Sequence, residues 1–316
     1  MGESRLIGLA LISAAFVGAT GFGTVNGMGQ NAEHERITRW ALGCERTGTA
    51  LQWCLQPDTL DEMAGKRGSF GAIGTPDTPP GIMESAPHCD NGDHVPGGTY
   101  PHAAADARRE LENCRNLMIQ NLDAAVWAAG SLLDAQGRIA PDAVELDCEF
   151  NGEDSAKCRV LTSMGALMHA SQDFYAHSNW TDVGNEDPSY PRGLGQAGPA
   201  PWISLRGHAD FPEGLMTGCF VLAGNGCDGR VHHDVLNKDT GEDRIDFEAG
   251  VIPAGASPRS QGLGLGNFER AVRAAIADSE DKWRLLEERL VAQYGAERGR
   301  LMMCAISRDD PEADCG

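Results

Sequence analysis

The 316-residue sequence predicts a mainly α-helical single domain with long, disulfide-stapled loops. Three observations lead to this fold class. Apolar residues recur with helical periodicity in four segments, no run of alternating or β-branched residues indicates a strand, and ten cysteines could fasten the aperiodic segments. The length suffices for one large core or two modest ones.

The four periodic segments predict the helices that build the domain. Residues 33–44 place apolar side chains on one side, with Asn31 as the predicted N-cap. Residues 103–129, 155–178 and 267–294 carry longer apolar stripes. Such stripes usually pack on the core and indicate nothing more.

The segments between the predicted helices are loop-like. Residues 69–101 are dense in Gly, Pro and Asp, and residues 188–212 and 219–266 are similar. Long loops in a compact domain are often functional, so we expect them to carry much of any site.

The N-terminus is typical of an export signal. Arg5 precedes the apolar stretch "LIGLALISAAFV". Val17-Gly18-Ala19 fits the A-x-A-like pattern of small residues at which a signal peptide is cleaved. We therefore predict a signal peptide over residues 1–19 and a helical domain over residues 20–316. An uncleaved membrane anchor is the alternative, and no other segment predicts a membrane span.

The ten cysteines also indicate export, because disulfides persist in oxidising compartments. Nearest-neighbour pairing is the simplest prediction, since each bridge would staple a local loop. The predicted pairs are Cys44–Cys54, Cys89–Cys114, Cys148–Cys158, Cys219–Cys227 and Cys304–Cys315. No C-x-x-C motif occurs, which argues against a thiolate zinc site or a thioredoxin-type redox motif.

The formal net charge of −20 argues against sequence-independent binding to the nucleic acid backbone, which requires a basic surface. We expect no stable binding of nucleic acid. A catalytic site could still bind a phosphate group if metal ions supplied the positive charge.

The segment "HASQDFYAHSNW" sets His169, Asp173 and His177 four residues apart, on one face of the predicted helix. The two histidines lie about 12 Å apart along the helix axis, whereas zinc takes ligands at about 2 Å. Two or more ions that share Asp173 fit this spacing better than one. Gly165 and Ala166, one turn earlier, would leave room for ions or a substrate. The alternative is a solvated face with a weak ion pair.

Other histidines also stand near carboxylates. His34 opens the first predicted helix, "HCDNGDH" begins at His88, "RGHADF" holds His208, and "VHHDVLNKD" holds two adjacent histidines, of which we expect one to point inward. Such clusters can meet in space as a zinc site of nitrogen and oxygen ligands. For each of these segments, the alternative to a metal ligand is a histidine in a polar turn or at a helix end.

Several enzyme classes lack their motifs. G-x-S-x-G is absent, which disfavours an α/β-hydrolase, and "HERIT" is not the H-E-x-x-H of a zincin. The segment "NKDTGEDRIDFE" lacks the sixth-position glycine of an EF-hand.

The segments "GALMHASQDFYAHSNW", "NAEHERITR" and "HDVLNKD" resemble the CinY-like and Het-C secreted proteins, over most of the predicted mature chain. More distantly, a few ligand positions are similar to the zinc-dependent phospholipase C and P1 nuclease superfamily. In this chain three residues, where the superfamily has five, separate Asp173 from His177, and no tryptophan precedes His34.

The resemblance implies an all-helical fold of the phospholipase C and P1 nuclease type with two or three zinc ions. It implies as ligands His34, His169, Asp173, His177 and His233, with Asp239 or Asp234 as a later acid. Asp93 with His94 or His88 would come from the intervening loop, and His208 is a further candidate ligand. Asp173 would be the catalytic carboxylate that holds two ions.

The function that this resemblance implies is hydrolysis of a phosphodiester, either a phospholipid headgroup or a nucleic acid strand, by a secreted metal-dependent enzyme. The alternative is a secreted, disulfide-stapled binding or assembly protein with a structural or vestigial metal site. A structural zinc site has no open position, so the number of protein ligands separates the two.

Overall fold

The computed structural model describes residues 22–27, 30–45, 51–150, 152, 154–184, 191–221, 226–238, 244–255, 259 and 266–315. The predicted signal peptide, residues 1–19, lies outside them. The described chain is mainly helical, which confirms the predicted fold class. Its α-helices are α1 Glu33–Leu42, α2 Pro57–Ala64, α3 Ala104–Ala129, α4 Ala156–His177, α5 His233–Leu236, α6 Asn267–Tyr294, α7 Ala296–Ser307 and α8 Pro311–Asp314.

Short elements fill the connections. Strands β1 Asn26–Gly27 and β2 Gln30–Asn31 pair antiparallel just before α1. Five 3₁₀ turns are described, namely Ala72–Asp77, Gly81–Met83, Ala86–His88, Pro141–Ala143 and Pro201–Ile203. The chain between residues 69 and 101 therefore contains three short 3₁₀ segments and no long helix.

Helix α4 lies at the centre of the domain. It packs against α3, α6 and the Ala72–Asp77 turn. Ser155 caps its N-terminus by accepting a hydrogen bond from the Cys158 backbone N–H at 3.1 Å. From Leu167 to His177 every residue is buried, so α4 has no solvated face along its second half. The alternative of a surface ion pair at His169 and Asp173 is therefore wrong.

The start of α1 differs from the prediction. Asn31 does not cap the helix, because it pairs with Asn26 in the two-stranded sheet. Ala32 takes the cap position in the left-handed region, with φ of 52°, and makes no side-chain cap. The buried carboxylate of Glu33 accepts instead, from the N–H groups of Gly23 at 2.9 Å and Asn31 at 3.0 Å. This arrangement holds the chain before α1 against the helix.

Five disulfides confirm the nearest-neighbour pairing: Cys44–Cys54, Cys89–Cys114, Cys148–Cys158, Cys219–Cys227 and Cys304–Cys315. Each closes a loop of 8 to 25 residues. Cys89 lies between His88 and Asp90, so its bridge to α3 fastens the segment that carries both side chains.

Candidate metal centre

Eight buried or half-buried side chains, which we name the cluster, meet beside the second half of α4. They are His34, Asp77, His88, Asp90, His169, Asp173, His177 and His233. Helix α4 supplies three of them, α1 and α5 supply one histidine each, and the chain from 77 to 90 supplies the remainder. Their ligand atoms form three groups that could each hold a metal ion: His34, His169 and Asp173; Asp77, His88 and His169; Asp90, His177 and His233.

Asp173 occupies the middle of the cluster, and its two oxygens face different histidines. Oδ1 lies 3.1 Å from Nε2 of His34 and 3.9 Å from Nε2 of His177. Oδ2 lies 2.9 Å from Nδ1 of His88 and 3.2 Å from Nε2 of His169. One carboxylate can therefore contact two ions at once.

The Asp77 group lies closest to solvent. Oδ1 of Asp77 is 3.6 Å from Nε2 of His169 and 3.9 Å from Nδ1 of His88. The Asp77 side chain is 22% exposed, against 8% for His88 and 0% for His169. Thr24 donates its hydroxyl hydrogen bond to Oδ2 of Asp77, which orients the carboxylate.

The Asp90 group is more deeply buried than the Asp77 group. Oδ1 of Asp90 lies 3.2 Å from Nδ1 of His177 and 3.1 Å from Nδ1 of His233. The two imidazole rings are 3.9 Å apart between centroids. His233 is thus the inward member of its adjacent pair, since His232 is exposed.

The backbone fixes the orientation of His169. Its Nδ1 lies 2.9 Å from the carbonyl oxygen of Ile73 and donates to it, which leaves the lone pair of Nε2 directed at the cluster. Metal-ligating histidines almost always use their second nitrogen in this way. Gly165 makes the contact possible, because a Cβ there would lie 2.5 Å from the carbonyl carbon of Ala72. The room expected at Gly165 is therefore filled by the Ala72–Asp77 turn and is not open to a substrate.

The electrostatics keep both central carboxylates ionised. Burial would raise the pKa of Asp173, but the charges of His169, His177 and His34 outweigh it and hold that pKa well below its usual range. Burial likewise opposes ionisation of Asp90, and His233 and His177 lower its pKa to about 2. Burial and the neighbouring His233 lower the pKa of His177, whereas Asp173 raises the pKa of His88 and Asp90 raises that of His233 despite their burial. Carboxylate and neutral imidazole are the forms that bind metal, so an ion would displace the protons that the carboxylates stabilise on these two histidines.

Unpaired polar atoms indicate that the cluster fits a cation. Among the described residues, thirteen buried side-chain N and O atoms lack a hydrogen-bond partner, and seven belong to the cluster. They are Nε2 of His34, Nε2 of His88, Oδ2 of Asp90, Oδ1 of Asp173, both ring nitrogens of His177 and Nε2 of His233. Each such buried atom costs about 1–3 kcal/mol if nothing binds it, and a cation would satisfy several together.

The spacing of the donor atoms also suits a divalent metal ion. Tetrahedral zinc, with nitrogen and oxygen ligands at about 2.0–2.1 Å, separates its ligand atoms by roughly 3.3 Å. The distances from Asp173 to His34 and His169, and from Asp90 to His177 and His233, run from 3.1 to 3.2 Å. The residues present thus match the size and chemistry of a divalent ion of this type.

Three predicted ligands lie elsewhere. Asp93 is buried, yet Arg230 donates to its Oδ2 from Nε at 3.0 Å and Tyr100 donates to the same oxygen at 2.5 Å. His94 donates from Nδ1 to the carbonyl of His102. His208 is 72% exposed and lies beside Asp210. The structure places these three residues outside the cluster, where a guanidinium, a loop carbonyl and solvent satisfy them.

The later acid of the resemblance is also not part of the cluster as far as the described chain extends. Asp234 is exposed on α5, and Asp239 lies outside the described residues. The remaining predicted ligands, His34, His88, His169, Asp173, His177 and His233, are brought together.

Two cluster carboxylates were not among the predicted ligands. Asp77 ends a 3₁₀ turn in the Gly- and Pro-rich loop, where no periodicity marks an inward residue. Asp90 belongs to the histidine-rich segment "HCDNGDH", for which the resemblance implies Asp93 as the inward acid. The proximity of Asp90 to a histidine and a cysteine is the one signal that the sequence carries for it.

Hydrogen bonds fasten the loop that follows Asp90 to the loop that precedes His233. Asn91 N–H donates to the Gly218 carbonyl at 2.8 Å, and the Gly92 N–H donates to the Thr217 hydroxyl at 2.9 Å. A Cβ at Gly218 would lie 2.4 Å from Cα of His233. The Asp93–Arg230 pair joins the same two loops, so Asp93 supports the group that contains Asp90 without entering it.

Comparison with known families gives one local match. Residues 132–207, which include α4, match the model of the VWA7 N-terminal domain. Searches of curated proteins and of solved structures find no match to the chain. Among the described residues, no helix is both long and apolar enough to cross a membrane.

Proposed function

We propose that this chain is a secreted hydrolase that uses two or three zinc ions to cleave phosphodiesters. The observation that carries the proposal is the position of Asp173, whose two oxygens face separate sets of histidines. Metal centres that cleave phosphodiesters commonly hold two ions about 3.5–4 Å apart, and a shared carboxylate is a natural means of holding them.

The proposed ligands follow the three groups of donor atoms. His34 and His169, with Oδ1 of Asp173, would hold one ion; Asp77 and His88, with Oδ2 of Asp173, would hold a second; Asp90, His177 and His233 would hold a third. When bound, the ions would supply positive charge for the phosphoryl oxygens and acidify water near neutral pH. Asp173 is the proposed catalytic carboxylate, since it orients both neighbouring sites.

The ligand count supports catalysis over a purely structural site. One imidazole nitrogen binds one ion, so Nε2 of His169 completes either the His34 group or the Asp77 group and not both. The Asp90 group shares no member with the others and offers three protein ligands. Three protein ligands with a fourth position open is the arrangement of catalytic zinc, whereas structural zinc has four.

We infer that a substrate would reach the ions past Asp77. It is the most exposed of the cluster carboxylates, while Asp90 and Asp173 are almost completely buried. A phosphodiester would therefore approach from the Asp77 and His88 side. The net charge of −20 repels a polyanion at long range, which favours a substrate with one phosphodiester, such as a phospholipid headgroup, over a long nucleic acid strand.

Secretion is supported by the chemistry of the cysteines. All ten are paired in disulfides, with no free cysteine, and such bridges persist in oxidising compartments. The predicted signal peptide is consistent with this location.

The test combines metal analysis with turnover. The protein purified from a secreting host is analysed for zinc and assayed with bis-p-nitrophenyl phosphate before chelation, after chelation and after zinc is restored. We expect at least two equivalents of zinc and turnover that falls with chelation and returns with zinc. Absence of bound zinc, or turnover that does not fall after chelation, would refute the proposal.

A second candidate follows from the burial of the cluster. Seven of its eight side chains are no more than 8% exposed, which also suits a structural metal site in a binding or assembly protein. Bound zinc without chelator-sensitive turnover, together with unfolding after zinc removal, would select this candidate.

A further inference from the structure

The side chain of Gln172 lies behind the cluster and contacts the far nitrogen of His34. Its Oε1 is 2.8 Å from Nδ1 of His34, a residue 138 positions earlier in the chain. Gln172 is completely buried and immediately precedes Asp173 on α4. It therefore approaches the imidazole from the side opposite to the carboxylate of Asp173.

We propose that Gln172 is a positioning residue that fixes the tautomer of His34 and so presents its Nε2 to a metal ion. The proposal rests on the metal binding proposed above. An amide oxygen only accepts hydrogen bonds, so the contact requires the hydrogen of His34 on Nδ1. The lone pair of Nε2 then points at Oδ1 of Asp173, 3.1 Å away.

The orientation of the Gln172 amide is held from two helices. Nε2 of Gln172 donates to the Thr38 hydroxyl on α1 at 3.2 Å and to the Ser279 hydroxyl on α6 at 3.1 Å. Both amide hydrogens are used in this arrangement, and Oε1 is the atom of Gln172 that faces His34.

The consequence is a pair of facing acceptors. When His34 is in its neutral, metal-binding form, a lone pair on its Nε2 and an ionised oxygen of Asp173 at 3.1 Å repel each other, and neither atom has a hydrogen-bond partner. A cation between them removes the repulsion. Histidine that is orientated through its second nitrogen binds metal about 10–100-fold more tightly than histidine without that partner, so Gln172 should set the affinity of the His34 group.

The experiment compares Zn²⁺ affinity of the full-length wild-type protein with that of Gln172→Leu and Gln172→Glu, by competition with a chromophoric chelator. Leucine removes the acceptor, and we expect the weakest resolved Zn²⁺ equivalent to lose affinity about 10–100-fold. Glutamate keeps an oxygen against Nδ1 and should restore affinity to the wild-type range. Ser171→Ala is the matched control, because Ser171 is also buried on α4 but contacts Asp278 and no cluster residue.

A second measurement needs no substitution. ¹⁵N chemical shifts of the zinc-loaded wild-type protein report which nitrogen of His34 carries hydrogen, and we expect Nδ1–H with Nε2 bound to metal. Zinc on Nδ1, or a Gln172→Leu protein that binds Zn²⁺ like the wild type, would overturn the role of Gln172. So would a Gln172→Glu protein as weak as the leucine variant. A wild-type protein that binds no Zn²⁺ would instead refute the proposed function itself.

Discussion

Oδ2 of Asp173 lies 2.9 Å from Nδ1 of His88, although 85 residues separate the two positions in the chain. The other oxygen of Asp173 faces His34 from α1. A single carboxylate thus joins a loop histidine to a helix histidine, and the proposed metal stoichiometry would depend on Asp173.

Asp173→Asn should release more than one equivalent of zinc. The amide keeps one neutral oxygen and replaces the other with NH₂, which cannot bind a cation, so one ion loses its ligand and the other keeps only an uncharged one. Zinc content of the purified variant, measured by elemental analysis against the wild type, checks this. Loss of one equivalent or less would mean that Asp173 does not contact two ions.

His233→Ala should release one equivalent of zinc and leave the others bound, because the Asp90 group shares no member with the remaining groups. The adjacent His232 provides a matched control, since it is exposed while His233 is buried. His232→Ala should keep the full zinc content in the same elemental analysis. Equal loss in both variants would indicate a disturbed loop and not a missing ligand.

Gly165→Ala should destabilise the fold by about 1–3 kcal/mol, the usual cost of overpacking. The new methyl group would meet the backbone of Ala72 at 2.5 Å, which forces the Ala72–Asp77 turn away from α4. Since that turn carries Asp77 and the carbonyl that orients His169, zinc affinity should fall as well. Urea unfolding of the zinc-free protein measures the stability change.

Gly98→Ala is the control for Gly165→Ala, because a Cβ at Gly98 meets no atom within 4 Å. We expect its unfolding midpoint to match that of the wild type within error. If Gly165→Ala also unfolds at the wild-type midpoint, the close approach of the turn to α4 is not required.

The stability of the protein should rise between pH 8 and pH 9.5 because of Lys157. Burial lowers the pKa of this completely buried lysine from 10.5 to about 8. Over that window the unfolded chain binds more protons than the folded one, so stability increases with pH and is lost as the pH falls through about 8. Lys157→Met should flatten this part of the profile.

Thermal or urea unfolding at several pH values from 7.5 to 9.5 measures the Lys157 effect. Lys66→Met removes an exposed lysine, 63% accessible in its side chain, and should leave the rise in place. A Lys157→Met profile that rises as steeply as the wild type would assign the effect to another group.

Local pattern was sufficient to predict the long helices. Residues 103–129 and 267–294 were predicted as helices, and the structure has α3 at Ala104–Ala129 and α6 at Asn267–Tyr294. Apolar side chains at helical spacing identify such a segment wherever it packs. The helix cap was predicted less well. Asn31 belongs to a two-residue strand, which is too short to show a periodic pattern in the sequence.

The sequence pattern could not show which loop carboxylates point into the cluster. Asp90 and Asp93 lie in one short segment of similar composition, yet Asp90 joins His177 and His233 while Asp93 binds Arg230. The difference arises from Arg230, a residue 137 positions later, whose charge satisfies one acid and leaves the other for the cluster. Asp77 has no sequence signal of comparable strength.

The sequence by itself determined the helical fold class, the five nearest-neighbour disulfides and the alignment of His169, Asp173 and His177 on one helix, because each depends on residues close together in the chain. The tertiary structure alone decided that this face of α4 is buried and which loop carboxylates meet it. Burial and ligand choice depend on contacts between distant segments, where a packed backbone or one guanidinium selects among acids that look alike in sequence.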